Sequence, residues 1–146
     1  MKFKLIIDET SEEEIIAKVH SATELTRKIE DLVMSYAGDD EVLAQGDDEL
    51  ISLKYSEIEC ITIIERKLYV IDTSAEKYRV STTLSEIEKQ LPSYFIRINK
   101  STIANERKIS CFKTLFSGAV DAVFKCGYKD YVSRRCFAEI KRRYRV

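Results

Sequence analysis

Twelve residues from Tyr94 to Asn105, read as Y-F-I-R-I-N-K-S-T-I-A-N, carry the chemistry in this sequence best suited to holding an anion. Arg97, Asn99, Lys100, Ser101 and Asn105 surround a short turn between two apolar runs. A guanidinium can give two parallel hydrogen bonds to O6 and N7 of guanine, and an asparagine can do the equivalent for adenine. Lysine and serine can hold phosphate oxygens. A second group follows downstream, where Ser133 precedes Arg134 and Arg135 at a helix start whose backbone N–H groups would seat phosphate. A third is the turn Glu65-Arg66-Lys67 between two apolar runs. Arg134 and Arg135 suit base reading or phosphate clamping, and Lys100 with Ser101 suits positioning on a backbone.

Plainer assignments exist for most of these side chains. Ser133 fits the N-cap of the last helix, and Arg97, alternating with Phe95 and Ile98, fits a cross-strand ion pair. Asn105 fits a bond to its own turn. Arg66 and Lys67 fit ordinary hairpin-tip charges. The cations from Lys141 onward fit the favourable end of a helix dipole.

Charge is segregated along the chain. Residues 1–48 hold 5 Lys/Arg against 13 Asp/Glu, residues 49–92 hold 6 against 8, and residues 93–146 hold 13 against 4, which a net charge of -1 conceals. A chain that separates sign in this way offers a cationic face to an anionic partner, for which phosphate is the commonest source. The acidic first part also suits a screen that keeps the basic face from indiscriminate binding.

The elements that must position these groups follow from periodicity and turn chemistry. The 146 residues suffice for one sizeable core plus a small appendage, and 45% hydrophobic with 34% charged residues describes a folded protein. Alternation predicts strands over 2–7 and 15–19, separated by an acidic turn. Ser21 or Thr23 caps a helix whose Leu25, Ile29, Leu32, Val33 and Tyr36 recur at helical spacing, and which stops at Ala37-Gly38. The boundary falls near residue 40. Beyond it, strands are predicted over 42–45, 50–54, 58–65, 68–73, 77–82, 95–98, 108–115, 119–125 and 130–133. A short helix over 85–91, capped at Thr83 or Leu84, ends at Pro92. A final helix from Ser133 shows Phe137, Ile140 and Tyr144 on its apolar side and Arg142 and Arg145 on its wet side.

The spacing R-x-x-[KR]-S-x-[IL]-x-N over Arg97 to Asn105, with V-S-R-R at Val132, Ser133, Arg134 and Arg135, resembles the LytTR-type DNA-binding domains. The resemblance covers roughly residues 42–140. It implies an elongated β architecture that sends side chains from separate loops into successive DNA grooves, rather than one recognition helix. Arg66 and Lys67, the turn Asn99-Lys100-Ser101, and Ser133 with Arg134 and Arg135 are the implied contacts. Three positions depart from the family pattern: Asn99 stands where histidine is common, Thr102 where an aromatic is common, and Ala104 where valine is common. Losing the ring at Thr102 implies looser packing under the loop, and Asn99 implies a changed base preference. Too few residues precede position 41 for a doubly wound receiver, so the resemblance points to short, receiver-less bacterial transcription regulators.

The sequence therefore predicts a mainly β (α+β) fold, an elongated LytTR-like β domain at 41–146 preceded by a strand-helix appendage at 1–40. The appendage packs on the domain or drives self-association, which makes a homodimer the expected state. The expected partner is double-stranded DNA, contacted through Arg66, Lys67, Arg97, Asn99, Lys100, Ser101, Ser133, Arg134 and Arg135. An interaction module whose basic face meets an acidic protein is the alternative. No Gly-rich phosphate cradle, metal-ligand cluster or histidine beside a nucleophile is evident, so no catalysis, cofactor, metal or small-molecule substrate is expected. Cys60, Cys111, Cys126 and Cys136 lack C-x-x-C spacing and read as free thiols. No apolar run approaches the roughly 18 residues that span a bilayer, and the first residues turn charged too early for a secretory signal, so the cytoplasm is the expected location.

Overall fold

The computed structural model describes residues 1–11, 14–36 and 41–144. After helix α1 (Glu24–Tyr36) come strands β1 (Glu41–Gln45), β2 (Leu50–Lys54), β3 (Ile58–Ile64), β4 (Lys67–Asp72) and β5 (Lys77–Arg79). Helix α2 (Leu84–Glu88) precedes β6 (Phe95–Asn99), β7 (Thr102–Asn105), β8 (Ile109–Thr114), β9 (Val120–Phe124), β10 (Lys129–Val132) and helix α3 (Arg134–Tyr144). The mainly β class expected from the sequence is the one observed.

A seven-stranded antiparallel sheet runs in the order β2-β1-β5-β4-β3-β7-β6, and a three-stranded sheet in the order β10-β9-β8. Side chains alternate between the faces of a strand, so the large sheet feeds two cores. On one face Ile61, Val70, Phe95 and Ile103 pack with Leu84 and Ile87 of α2. On the other, Cys60, Ile71, Ile96, Ile98 and Ala104 meet Val120, Ala122, Phe124 and Val132 of the small sheet and Ile140 of α3. Strands β3, β6 and β7 are thus buried on both sides. This sandwich fixes the ends of those strands, where the charged turns lie.

Local chemistry explains most boundaries. Thr83 Oγ1 accepts from the Glu86 backbone N–H at 3.2 Å and caps α2. That helix is shorter than the predicted 85–91 because Gln90 and Leu91 bond back three residues, to Ile87 and Glu88, ahead of Pro92. Strand β7 lies outside the strands that alternation predicts. The cysteines are free, as expected, with Cys60 buried and Cys111 exposed.

The N-terminal strands predicted over 2–7 and 15–19 are corrected by the structure, which has no strand among residues 1–11 and 14–23. Residues 1–11 and 14–25 are all exposed, including Phe3, Leu5, Ile6, Ile7, Ile15, Ile16 and Val19. Alternation is local, but a strand exists only where a second backbone takes up its hydrogen bonds, and among the described residues none does. The predicted helix is present as α1, while its stop and the domain boundary fall in residues 37–40, outside the described residues. So do the side chain of Tyr36 and residue Arg145.

Candidate nucleic-acid interface

Two backbone hydrogen bonds join three distant chain segments at one end of the large sheet. The Ile63 N–H donates to the Ser101 carbonyl at 2.9 Å, setting the β3–β4 hairpin beside the β6–β7 turn. The Ser133 N–H donates to the Ile98 carbonyl at 2.8 Å, setting the start of α3 against the end of β6. The turns holding Arg66, Lys100 and Arg135 are therefore neighbours.

The hairpin tip is held in an uncommon conformation. Ile64 pairs with Lys67, leaving Glu65 and Arg66 as a two-residue loop with φ of 51° and 67°. A hairpin loop of this length favours positive φ at both positions, usually filled by Asn-Gly. Side chains in this region cost about 1–2 kcal/mol per residue. Arg66 is exposed at the tip and Lys67 at the first position of β4. Strain of this kind, kept with a charged residue, is a pointer to function.

In the central turn the polar side chains divide into two sets. Arg97 points its Nε at Glu88 Oε2 of α2 at 2.5 Å, and its Nη1 donates to the Lys100 carbonyl at 2.8 Å. Asn99 is only 2% exposed. Its Nδ2 donates to the Tyr131 carbonyl at 2.8 Å, and its Oδ1 accepts from the Ser101 N–H at 2.8 Å. The structure therefore buries Asn99 and engages Arg97 in a surface pair with Glu88, so both shape the loop, although the sequence offers both as contacts. Lys100 is exposed and Ser101 half-buried beside it.

Beneath this turn a buried chain of hydroxyls replaces the looser packing expected at Thr102. Thr62 Oγ1 and Thr102 Oγ1 lie 2.7 Å apart, and Thr102 Oγ1 donates to Asp130 Oδ2 at 2.6 Å. Thr102 has no exposed surface. The bonds link β3, β7 and β10, so polar contacts supply the order that a ring would supply by bulk.

Ser133 caps α3, its Oγ accepting from the Cys136 N–H at 3.2 Å. Arg134 and Arg135 occupy the first turn, which contains no acidic residue, and both are exposed. Cations at a helix N-terminus add to the positive end of its dipole, an arrangement that favours a bound anion. Among the described residues, Arg66, Lys67, Lys100, Arg134 and Arg135 take part in no ion pair. Between β6 and α3 runs an open groove of about 800 Å³, with Lys100 and Arg135 at one part of its rim and Arg143 at another. Asn105, by contrast, is structural: its Nδ2 donates to the Ile58 carbonyl at 3.0 Å and its Oδ1 accepts from the Arg107 N–H at 3.0 Å. Sequence reasoning missed Glu88, Asp130 and Thr62, which carry no local signal because their partners lie far away along the chain.

The LytTr DNA-binding domain family model matches residues 48–145. An uncharacterized HTH-type transcriptional regulator of Staphylococcus aureus strain NCTC 8325 is 34% identical over 97 residues, covering 66% of this chain and 65% of that protein. Its counterpart from the bovine strain RF122 is 33% identical over 97 residues, with the same coverage. The chain thus spans 65% of the length of these relatives. Among solved structures, a LytTr DNA-binding domain from Bacillus cereus matches with a TM-score of 0.66 at 21% identity, over 73% of this chain and 98% of that one. This likeness establishes the fold. In this chain strands separate the three helices, and the cationic surface combines the β3–β4 and β6–β7 turns with the first turn of α3.

Proposed function

This chain belongs to the LytTr DNA-binding domain family, and from that premise we propose that it regulates transcription by binding a specific duplex DNA sequence through three loops. The observation that carries the reading is the convergence of Arg66, Lys100 and Arg135 at one end of the sheet, with no ion partner among the described residues and backed by buried polar bonds. Arg66, Arg134 and Arg135 are the base readers or phosphate clamps. Lys67, Lys100 and Ser101 hold the backbone, while Arg97, Asn99 and Ser133 position the loops. No catalytic step is assigned to the chain.

Residues 1–40 act as an appendage and residues 41–146 as the DNA-binding domain. The exposed apolar residues Phe3, Leu5, Ile6, Ile7, Ile15, Ile16 and Val19 favour self-association, since strand-prone backbone without a partner pairs readily with a second copy. A homodimer would place two cationic ends on two half-sites and multiply specificity. No helix among the described residues is long and apolar enough to cross a membrane, and a DNA-binding role places the protein in the cytoplasm.

Selection of bound sequences from a random duplex pool tests the reading. An enriched motif bound with steep salt dependence is the expected result, because phosphate contacts release counterions. No enrichment, together with capture of an acidic protein in its place, would favour the alternative of a protein-interaction module.

A further inference from the structure

Charged side chains join helix α1 to the β domain. Arg27, on the first turns of α1, meets Glu106 in the turn that follows β7, and both side chains are largely buried. Glu106 Oε2 also accepts from the Tyr144 hydroxyl at 2.6 Å and lies 3.9 Å from Arg143, both in the last turn of α3. One turn further along α1, Asp31 is 7% exposed; its Oδ1 accepts from Ser93 Oγ at 2.5 Å and its Oδ2 lies 3.7 Å from Arg107. Arg143 closes the ring by reaching the Ser93 carbonyl at 3.5 Å. Burial, and then the neighbouring Arg27, pull the Arg143 guanidinium below its ordinary pKa.

Two grips therefore hold α3. Its first turn is fixed by the Ser133 bond to Ile98, and its last turn by Glu106 and, through Glu106, by Arg27 of α1. A helix is stiff, so an angular change permitted at the last turn of an 11-residue helix moves the side chains of its first turn as well. A partly buried ion cluster is a poor source of stability, because desolvation and solvent screening offset most of the attraction. Its contacts do join α1, the turn after β7 and the last turn of α3 at specific atoms.

We propose that α1 is part of the DNA-reading unit: Arg27 and Asp31 are positioning residues that hold α3, and with it Arg134 and Arg135, at the angle duplex recognition requires. This rests on the DNA-binding reading above. It assigns residues 24–36 a role in recognition itself, separate from any part the preceding residues play in self-association.

The test uses the full chain, a duplex recovered by selection from a random pool, and a shuffled duplex of equal length. Arg27→Met and Asp31→Asn should each lower affinity for the selected duplex on the order of tenfold while leaving the shuffled duplex nearly unaffected. Hydrogen exchange over residues 134–144 should quicken in both variants. Arg27→Lys, which keeps a cation beside Glu106 and leaves the Glu106 contacts to Tyr144 and Arg143 in place, should retain much of the discrimination; Arg27→Gln serves if Arg27→Met does not fold. Discrimination within about twofold of wild type in folded variants overturns the proposal. If the wild-type chain itself fails to prefer the selected duplex, the DNA-binding reading falls, and this inference with it.

Discussion

The side-chain amide of Asn99 donates to the carbonyl of Tyr131 at 2.8 Å, across 32 residues of sequence, and so ties the β6–β7 turn to the strand that leads into α3. Its oxygen at the same time accepts from the Ser101 N–H. One buried side chain thus sets the spacing between Lys100 and Arg135. Replacing Asn99 by Ala removes two part-buried hydrogen bonds, at about 0.5–1.5 kcal/mol each. Urea denaturation should register that loss, and DNA affinity should fall although no contact residue has changed. Unaltered stability would remove the residue from the scaffold.

Arg135→Ala should cost on the order of 1–3 kcal/mol in binding if the residue reads a base, with preference relaxed at one position of the site. Lys100→Ala should weaken binding to all sequences alike and lower the salt slope by about 1. Titrations of each variant at several salt concentrations distinguish the two roles.

Arg66→Gly should raise folding stability by about 1 kcal/mol, because glycine accepts the φ of 67° at that position without a side-chain clash. DNA affinity should move in the opposite direction. A variant that gains stability and loses nothing in binding would make the strained hairpin tip irrelevant to recognition.

Burial pushes the Tyr128 hydroxyl up to about 12. A folded-state pKa above the unfolded value of about 10 favours the neutral form, so its contribution is whole below pH 10 and is lost as pH rises through 12. Stability measured across that window should decline less for Tyr128→Phe than for wild type. Parallel declines would exclude Tyr128 as the cause.

Deleting residues 1–20 should shift a dimer to a monomer in sedimentation while leaving the β domain folded. An unchanged sedimentation coefficient per mass would remove self-association from that segment.

Much of this architecture was legible because the exposed cations lie in turns or at a helix start beside strong apolar runs. Lys100 and Arg135 announce themselves by type and position. Arg97 and Asn99 do not reveal their structural engagement, since that depends on Glu88, nine residues away, and Tyr131, 32 residues away. Strand β7 went unread because all four of its residues are buried, which erases the period of two on which a strand is recognised. The N-terminal strands failed for the converse reason: their alternation is plain, but pairing is supplied by another backbone, which local sequence cannot provide. The cluster joining Arg27, Asp31 and Glu106 leaves no trace in spacing at all.

The central claim is that three loops read one duplex together. Base-preference profiles of Arg66→Ala, Lys100→Ala and Arg135→Ala on the selected duplex test it most directly. Arg66→Ala and Arg135→Ala should alter preference or affinity at separate positions of a single site, with Lys100→Ala lowering affinity throughout. If all three variants keep the wild-type profile and affinity, the loops do not touch the duplex and the account is wrong.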